Sequence, residues 1–428
     1  IMALEIKYPV GVQTFSKIRE KGYLYVDKTA ILYTLVKESE YVFLSRPRRF
    51  GKSLLMSTLE AYFRGRKDLF EGLSISNLEK DWIKYPVFRL DLSPAYFDHP
   101  QRLIELIKRS LNSIGRIYGL KSEYDNISDI FIDFIEQAYY KFGEKVVILI
   151  DEYDKPLLDC LHNPELHSTI RNELRGFFSS IKSCDEYIQF AMLTGVTKFG
   201  KVSIFSGLNN LRDISLNPKY NGICGITETE FNGNFQSSIK NFALINGIQE
   251  AEAWIKFKKM YDGYHFAKSG EYIYNPFCVL CAFADEELKN YWYRSGSPDF
   301  LIQLIERNSY SLTRIEGERR SEDNLNSIVN MDSDFIPLLF QAGYLTIKDY
   351  DAKTKEYTLG FPNTEVYEAF WSDLKDHFFK LPGGGNAFDL RLWTRDIIEG
   401  NPEELMTRLQ ALFADTSSEL EDTSHLFN

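Results

Sequence analysis

A three-layer αβα fold around a central parallel sheet, followed by a mostly helical region, is predicted by three stretches of this sequence. Residues 41–59, YVFLSRPRRFGKSLLMSTL, run from a short apolar β-favouring segment through a basic turn into a helical pattern that Leu55, Leu59, Tyr62 and Phe63 mark. Residues 146–154, VVILIDEYD, open with a continuous apolar, mostly β-branched run, the signature of a parallel strand buried on both faces, and end in carboxylates. Residues 187–193, YIQFAML, read as another strand, tipped by Thr194.

The first stretch carries the chemistry. At its strand-to-helix junction, Gly51-Lys52-Ser53 forms the closing half of a phosphate-binding loop. There, backbone N–H groups and a helix N-terminus face a phosphate, the lysine adds a cation and the serine hydroxyl reaches Mg²⁺. The opening half is irregular, because Arg46 stands where the usual pattern has glycine and Pro47 lacks an N–H. The amides expected to cup the phosphates run from Phe50 to Ser53, and Arg49 and Leu54 flank them. A solvated basic turn is the plainer alternative.

The second stretch supplies acidic partners. Asp151 leaves the buried strand at the carboxyl edge of the sheet, where open α/β folds bind ligands, and has the place of the carboxylate that holds Mg²⁺. Glu152 has the place of a base acting on an attacking water. A strand 187–193 set between the other two brings Thr194 close to the γ-phosphate, as a candidate sensor of nucleotide state, with Thr197 and Lys198 as competitors. Arg171 and Arg175, one helical turn apart, suit phosphate contact and surface salt bridges equally well.

The rest of the chain falls into order around these units. Asp27 is expected to cap a helix over 28–37, residues 87–92 to form a strand, 100–142 to be helical with a polar break at 122–129, and 213–216 to give a fifth strand. From Ile226 the pattern changes to capped helices. It ends in a strand at 343–347 and a hairpin partner at 356–360, which together read as a winged-helix module. The expected division is a P-loop domain over 1–225, a helical and winged-helix lid over 226–370, and a linker with the start of another domain over 371–428.

With 428 residues and a formal charge of −11, the chain is large enough for two or three domains and too acidic to offer nucleic acid a broad basic face. The cluster Arg46, Arg48, Arg49 and Lys52 is a local exception, able to hold phosphates. No apolar run reaches the length of a membrane span, and the first residues lack the pattern of a signal peptide, so a cytoplasmic setting without membrane contact is expected. Five cysteines are too few for a disulfide framework, and Cys278 and Cys281 read as helix-core residues rather than a metal or redox pair.

The sequence resembles a family of bacterial AAA-ATPase-like proteins that usually carry a PD-(D/E)XK nuclease-like domain at the C-terminus. The resemblance rests on YPVGVQTFSKIREKGYLYVDKT, RPRRFGKSL, ILIDEYDKPL, LTGVTK, FSGLNNLRDISL, YDGYHF, YNPF, YWYRSGSP, QAGYLTI and FPNTEVYEAF. It implies phosphate contact by Gly51, Lys52 and Ser53, metal ligation by Ser53 and Asp151, and water activation by Glu152. ATP and Mg²⁺ are the implied cofactors, and the implied activity is hydrolysis driving a switch for a nuclease-like domain or partner. The nuclease itself is not expected within these residues: Glu287-Leu288-Lys289 fits its letters only in a helical context, and LQALFADTSSELEDTSHLFN reads as only a first helix of that domain. DNA is thus expected as a partner only through that missing domain, and a homo-oligomer stays open. The alternatives are a nucleotide-gated regulatory module without turnover and a winged-helix DNA-binding protein.

Overall fold

The computed structural model describes residues 6–198, 204, 205, 208, 210–292, 315–326, 334–378, 404, 406 and 407. Its centre is a parallel sheet of β1 (Tyr41–Ser45), β2 (Val87–Asp91), β3 (Val146–Asp151), β4 (Ile188–Gly195) and β5 (Arg212–Asp213), in the order β2-β3-β4-β1-β5. The expected place of β4, between the phosphate-loop strand and the acidic strand, is found. All six residues of β3 are buried, which explains the unbroken apolar run from Val146 to Ile150 before Asp151.

Side chains alternate across the sheet. Val42 and Leu44 of β1, with Val147 and Leu149 of β3, join one apolar cluster; Tyr41, Phe43, Val146, Ile148 and Ile150 join the other. The second cluster is closed by the helices Pro100–Tyr118, Ile127–Phe142 and Pro164–Ser183. The first is closed by Thr29–Glu38 and Lys52–Phe63, and it continues without a break into residues beyond 225, through Phe231, Phe257, Tyr264, Phe266 and Leu339. One sheet face and the C-terminal region therefore share a core.

That region is mostly helical. Thr227 and Glu230 form a reciprocal capping box on the helix Glu228–Asn234, and Asn275 caps Pro276–Asp285, whose Cys278 and Cys281 are buried as expected. Three antiparallel strands, β8 (Arg319–Ser321), β10 (Glu356–Gly360) and β9 (Thr346–Asp351), pair in that order beside the helix Ile336–Ala342. A small antiparallel pair, β6 (Ile226–Thr227) and β7 (Ile273–Tyr274), ties the start of the region to its middle.

Several expectations shift. The fifth strand is Arg212–Asp213 rather than 213–216, because Ser45 N donates to the Ser215 hydroxyl and the ladder ends there. The strand expected at 343–347 starts at Thr346, since Gly343 caps the preceding helix at φ 94° and Tyr344 N turns back to Leu339 O. Asp27 does not cap a helix from residue 28. The helix starts at Thr29, whose N–H and hydroxyl donate to the Asp27 carboxylate from two positions on. Glu287-Leu288-Lys289 lies past a helix rather than within one, because Glu286 at φ 58° ends Pro276–Asp285. The strand β8 had no clear signal in the sequence, and most of the linker and further domain expected over 371–428 lies outside the described residues.

Asp262, at the C-terminal cap of Glu250–Tyr261, is 2% exposed, and one of its carboxylate oxygens finds no partner. Burial pushes its pKa from 3.8 up to about 6 against the Gly263 N–H, which favours the charged form. An acid whose pKa rises on folding holds its proton more tightly when folded, so its contribution to stability falls as pH climbs from 3.8 towards 6. Asp262→Asn is expected to raise the thermal midpoint over wild type at pH 7.5, with the gain fading by pH 4. An equal gain at both pH values would contradict this origin.

Candidate functional site

The carboxyl ends of β1, β3 and β4 meet at one edge. Leu44 pairs with Thr194 and Ser45 with Gly195 across β1 and β4, while Ile150 pairs with Leu193 across β3 and β4, so Asp151 sits beside Thr194. The Thr194 hydroxyl donates to Asp151 at 2.6 Å, and both residues are at most 1% exposed. Of the candidates for a sensor, Thr194 alone is placed against the Asp151 carboxylate. Thr197 instead donates to Asp154, and the Lys198 ammonium donates to Asp213 and Asn326.

The loop between β1 and its helix ends in Gly51 at φ 93°, where an added Cβ would meet nothing and only the left-handed backbone calls for glycine, and Arg49 is left-handed too at φ 68°. Lys52 opens the helix. Its ammonium is buried, donates to the carbonyls of Arg46 at 3.0 Å and Pro47 at 3.2 Å, and lies 3.4 Å from the Glu152 carboxylate. Ser53 follows on the first turn, which carries no acidic residue to compete for the helix N-terminus. The Phe50 ring is buried among Tyr264 and Phe266, so only its backbone can meet a ligand.

Glu152 has φ 53°, an uncommon backbone for a side chain of its size and a sign of local strain at a site. Burial raises its pKa above the usual carboxylate range; Lys52 opposes this, and Asp154 and Asp151 add to it. The site thus holds a lysine and two consecutive carboxylates, one buried against a threonine hydroxyl and the other beside the ammonium.

Asp154 was not anticipated as part of this edge. It is fully buried and accepts from Val196 N, Thr197 N and the Thr197 hydroxyl, clamping the turn that follows β4. A Cβ on Gly195 would stand 2.5 Å from an Asp154 oxygen, so the turn closes only on glycine. The repeated acid in DEYD was the available signal. Asp154→Ala would leave three buried donors unpaired, and is expected to cost about 3 kcal/mol in chemical unfolding; a cost below about 1 kcal/mol would show that water replaces the carboxylate.

The basic cluster divides. Arg46 is buried within the protein and unavailable to phosphate, which corrects the expectation that it joins Arg48, Arg49 and Lys52 in an anion-holding group. The Arg49 guanidinium lies over the Phe277 ring at 4.7 Å. On the far sheet face, Arg171 reaches Ser168 at 3.5 Å and Arg175 is exposed. No cluster of three or more metal-type side chains occurs among the described residues, and none of their helices is long and apolar enough to cross a membrane.

The family model described as Predicted AAA-ATPase matches residues 9–205. A protein of Azotobacter chroococcum mcd 1, described as an uncharacterized protein in the vnfD 5' region, is 39% identical over 395 residues, which cover 90% of this chain and 74% of that protein. The solved structure of the Aeropyrum pernix ORC2 protein (ADPNP-ADP complexes) aligns over 87% of this chain and 96% of its own at 10% identity, with a TM-score of 0.26. With the parallel sheet, the lysine-bearing loop and the acidic strand end in place, the chain belongs to the predicted AAA-ATPase family.

Proposed function

We propose that the chain binds ATP with Mg²⁺ at the loop of Arg49, Phe50, Gly51, Lys52, Ser53 and Leu54 and hydrolyses it, acting as a nucleotide-driven switch for an attached nuclease-like domain or a partner. The observation that carries this reading is the Lys52 ammonium, held at a helix N-terminus between two loop carbonyls and Glu152. A buried cation at the positive end of a helix suits a strongly anionic ligand. The hard oxygen donors Ser53 and Asp151 suit Mg²⁺.

When bound, Mg²⁺-ATP supplies the phosphoanhydride to be cleaved and the metal charge that neutralises its oxygens. The chain's own residues do the rest. The amides from Phe50 to Leu54 and the Lys52 ammonium bind the phosphates, and Ser53 and Asp151 hold the metal. Thr194 bears on the reaction through Asp151, whose orientation its hydroxyl sets. Glu152, with its pKa raised, orients a water and takes its proton.

The division into residues 1–225, 226–370 and 371–428 belongs to the same reading, with the second unit as a winged-helix lid. Helices beside a three-stranded antiparallel wing support it, as does the docking of that unit on the loop. The reading places the protein in the cytoplasm. Phosphate release from Mg²⁺-ATP by the purified chain, stopped by chelating the metal, tests the activity. Tight ATP binding without release would favour the non-hydrolysing switch, and a salt-dependent retention of DNA without nucleotide binding would favour the DNA-binding alternative.

A further inference from the structure

Arg46 occupies the first position of the loop, where a glycine would leave the backbone free. Its guanidinium is 1% exposed and donates to the carbonyls of Ser45 at 3.0 Å, Ser215 at 2.8 Å, Tyr220 at 3.2 Å and Asn221 at 3.5 Å. Its Nε finds no hydrogen-bond partner, and the Asp213 carboxylate acts on its charge through space, without an ion pair among the described residues. The planar group stacks on Phe266 of the C-terminal region, 4.4 Å from the ring centre. A cation buried with carbonyl dipoles and an aromatic face in place of a counter-ion is costly to hold, and its geometry is the fixed fork of arginine rather than the point charge of lysine.

The rest of the loop is gripped from the same side. A Cβ on Gly343 would stand 2.7 Å from Pro47, so the helix end at Gly343 abuts that proline. The Trp292 indole donates to Arg48 O at 3.0 Å, while Trp292 N donates to the buried Glu365. Gly225 N donates to Phe50 O, and Phe50 packs edge-on against Tyr264 and Phe266. Phe266 N in turn donates to Asn221, whose carbonyl receives Arg46. Arg46 joins both sides of this grip: its side chain anchors to the turn after β5 and to Phe266, and its carbonyl receives Lys52.

We propose that Arg46 is a positioning residue for Lys52: by pinning its own peptide between the sheet edge and Phe266, it sets the Arg46 and Pro47 carbonyls that hold the Lys52 ammonium, and ties that hold to the C-terminal region. The proposal rests on the reading of Lys52 as the phosphate-binding lysine. Its mechanical consequence is specific. Drawing Lys52 off those carbonyls loosens the contacts at Phe266 and Trp292, so the loop and the C-terminal region respond together to what the lysine binds.

The test is amide hydrogen exchange on the full chain for wild type, Arg46→Met, Arg46→Lys and Phe266→Leu, with ATP affinity measured on each. In Arg46→Met, exchange is expected to quicken about tenfold or more in segments 46–52 and 262–275 together, while the far-face helices over 100–142 keep wild-type protection. ATP affinity is expected to fall about tenfold, and Arg46→Lys to recover only part of either effect, because it restores the charge without the fork. Phe266→Leu should give the same two-segment pattern at lower amplitude, and it carries the test if Arg46→Met does not fold. Exchange that quickens only around 212–221, or evenly through the whole chain, would overturn the proposal by making Arg46 a packing residue. A wild type that binds no ATP would overturn the reading of Lys52 instead, and the exchange pattern would still decide whether Arg46 sets the loop.

Discussion

Glu152→Gln is expected to lower the rate of ATP hydrolysis by about 10²–10⁴-fold, the range for losing a positioned general base, and to leave ATP affinity within a few-fold of wild type. The amide keeps the shape of the carboxylate and its reach towards Lys52, so the phosphate-binding groups stay where they are. It cannot take a proton. Because burial raises the Glu152 pKa above its ordinary 4.5, wild-type turnover should also rise with pH through that higher value and then level off. A glutamine variant that turns over like wild type would remove Glu152 from the chemistry, whatever its strained backbone is for.

Lys52→Ala is expected to weaken ATP binding by about 100-fold or more, equivalent to about 2.7 kcal/mol, as befits the loss of a charge-assisted contact in a buried setting. The variant loses more than a ligand contact. In wild type the ammonium is the cation beside Glu152 and the donor to the Arg46 and Pro47 carbonyls. Without it, Glu152 keeps its burial and its acidic neighbours and loses the opposing charge, so its pKa moves up further. Calorimetric titration with ATP reads the affinity, and a thermal unfolding curve shows that the variant is folded. Unchanged affinity would mean that the ligand does not reach this lysine.

The sheet was legible because its strands obey local rules. A parallel strand buried on both faces reads as a continuous apolar run, so VVILI could be placed from its letters, and the phosphate loop announced itself through Gly51-Lys52-Ser53 after YVFLS. The Thr/Glu capping spacing at Thr227 and Glu230 was equally local. What the sequence hid depends on partners far along the chain. β5 is cut short by the Ser215 hydroxyl, a tertiary contact 170 residues from Ser45. Arg46 reads as a phosphate-binding cation until its carbonyl partners at Ser215, Tyr220 and Asn221, and its aromatic partner at Phe266, are brought round it. Trp292 reaches Arg48 O from 244 positions away, and no spacing rule anticipates that. Asp154 lies between these cases: its place in DEYD was visible, and its bonds to Val196 and Thr197 were not.

The central claim is that a loop opening with Arg46 and Pro47 in place of the usual glycine pattern is a working nucleotide site. Equilibrium titration of the purified wild-type chain with ATP and Mg²⁺, followed by calorimetry, tests it most directly. The account predicts saturable binding of one nucleotide per chain that weakens when the metal is chelated. No saturable binding, in a chain shown to be folded, would contradict it and leave Lys52 and Glu152 as an ion pair that serves only the fold.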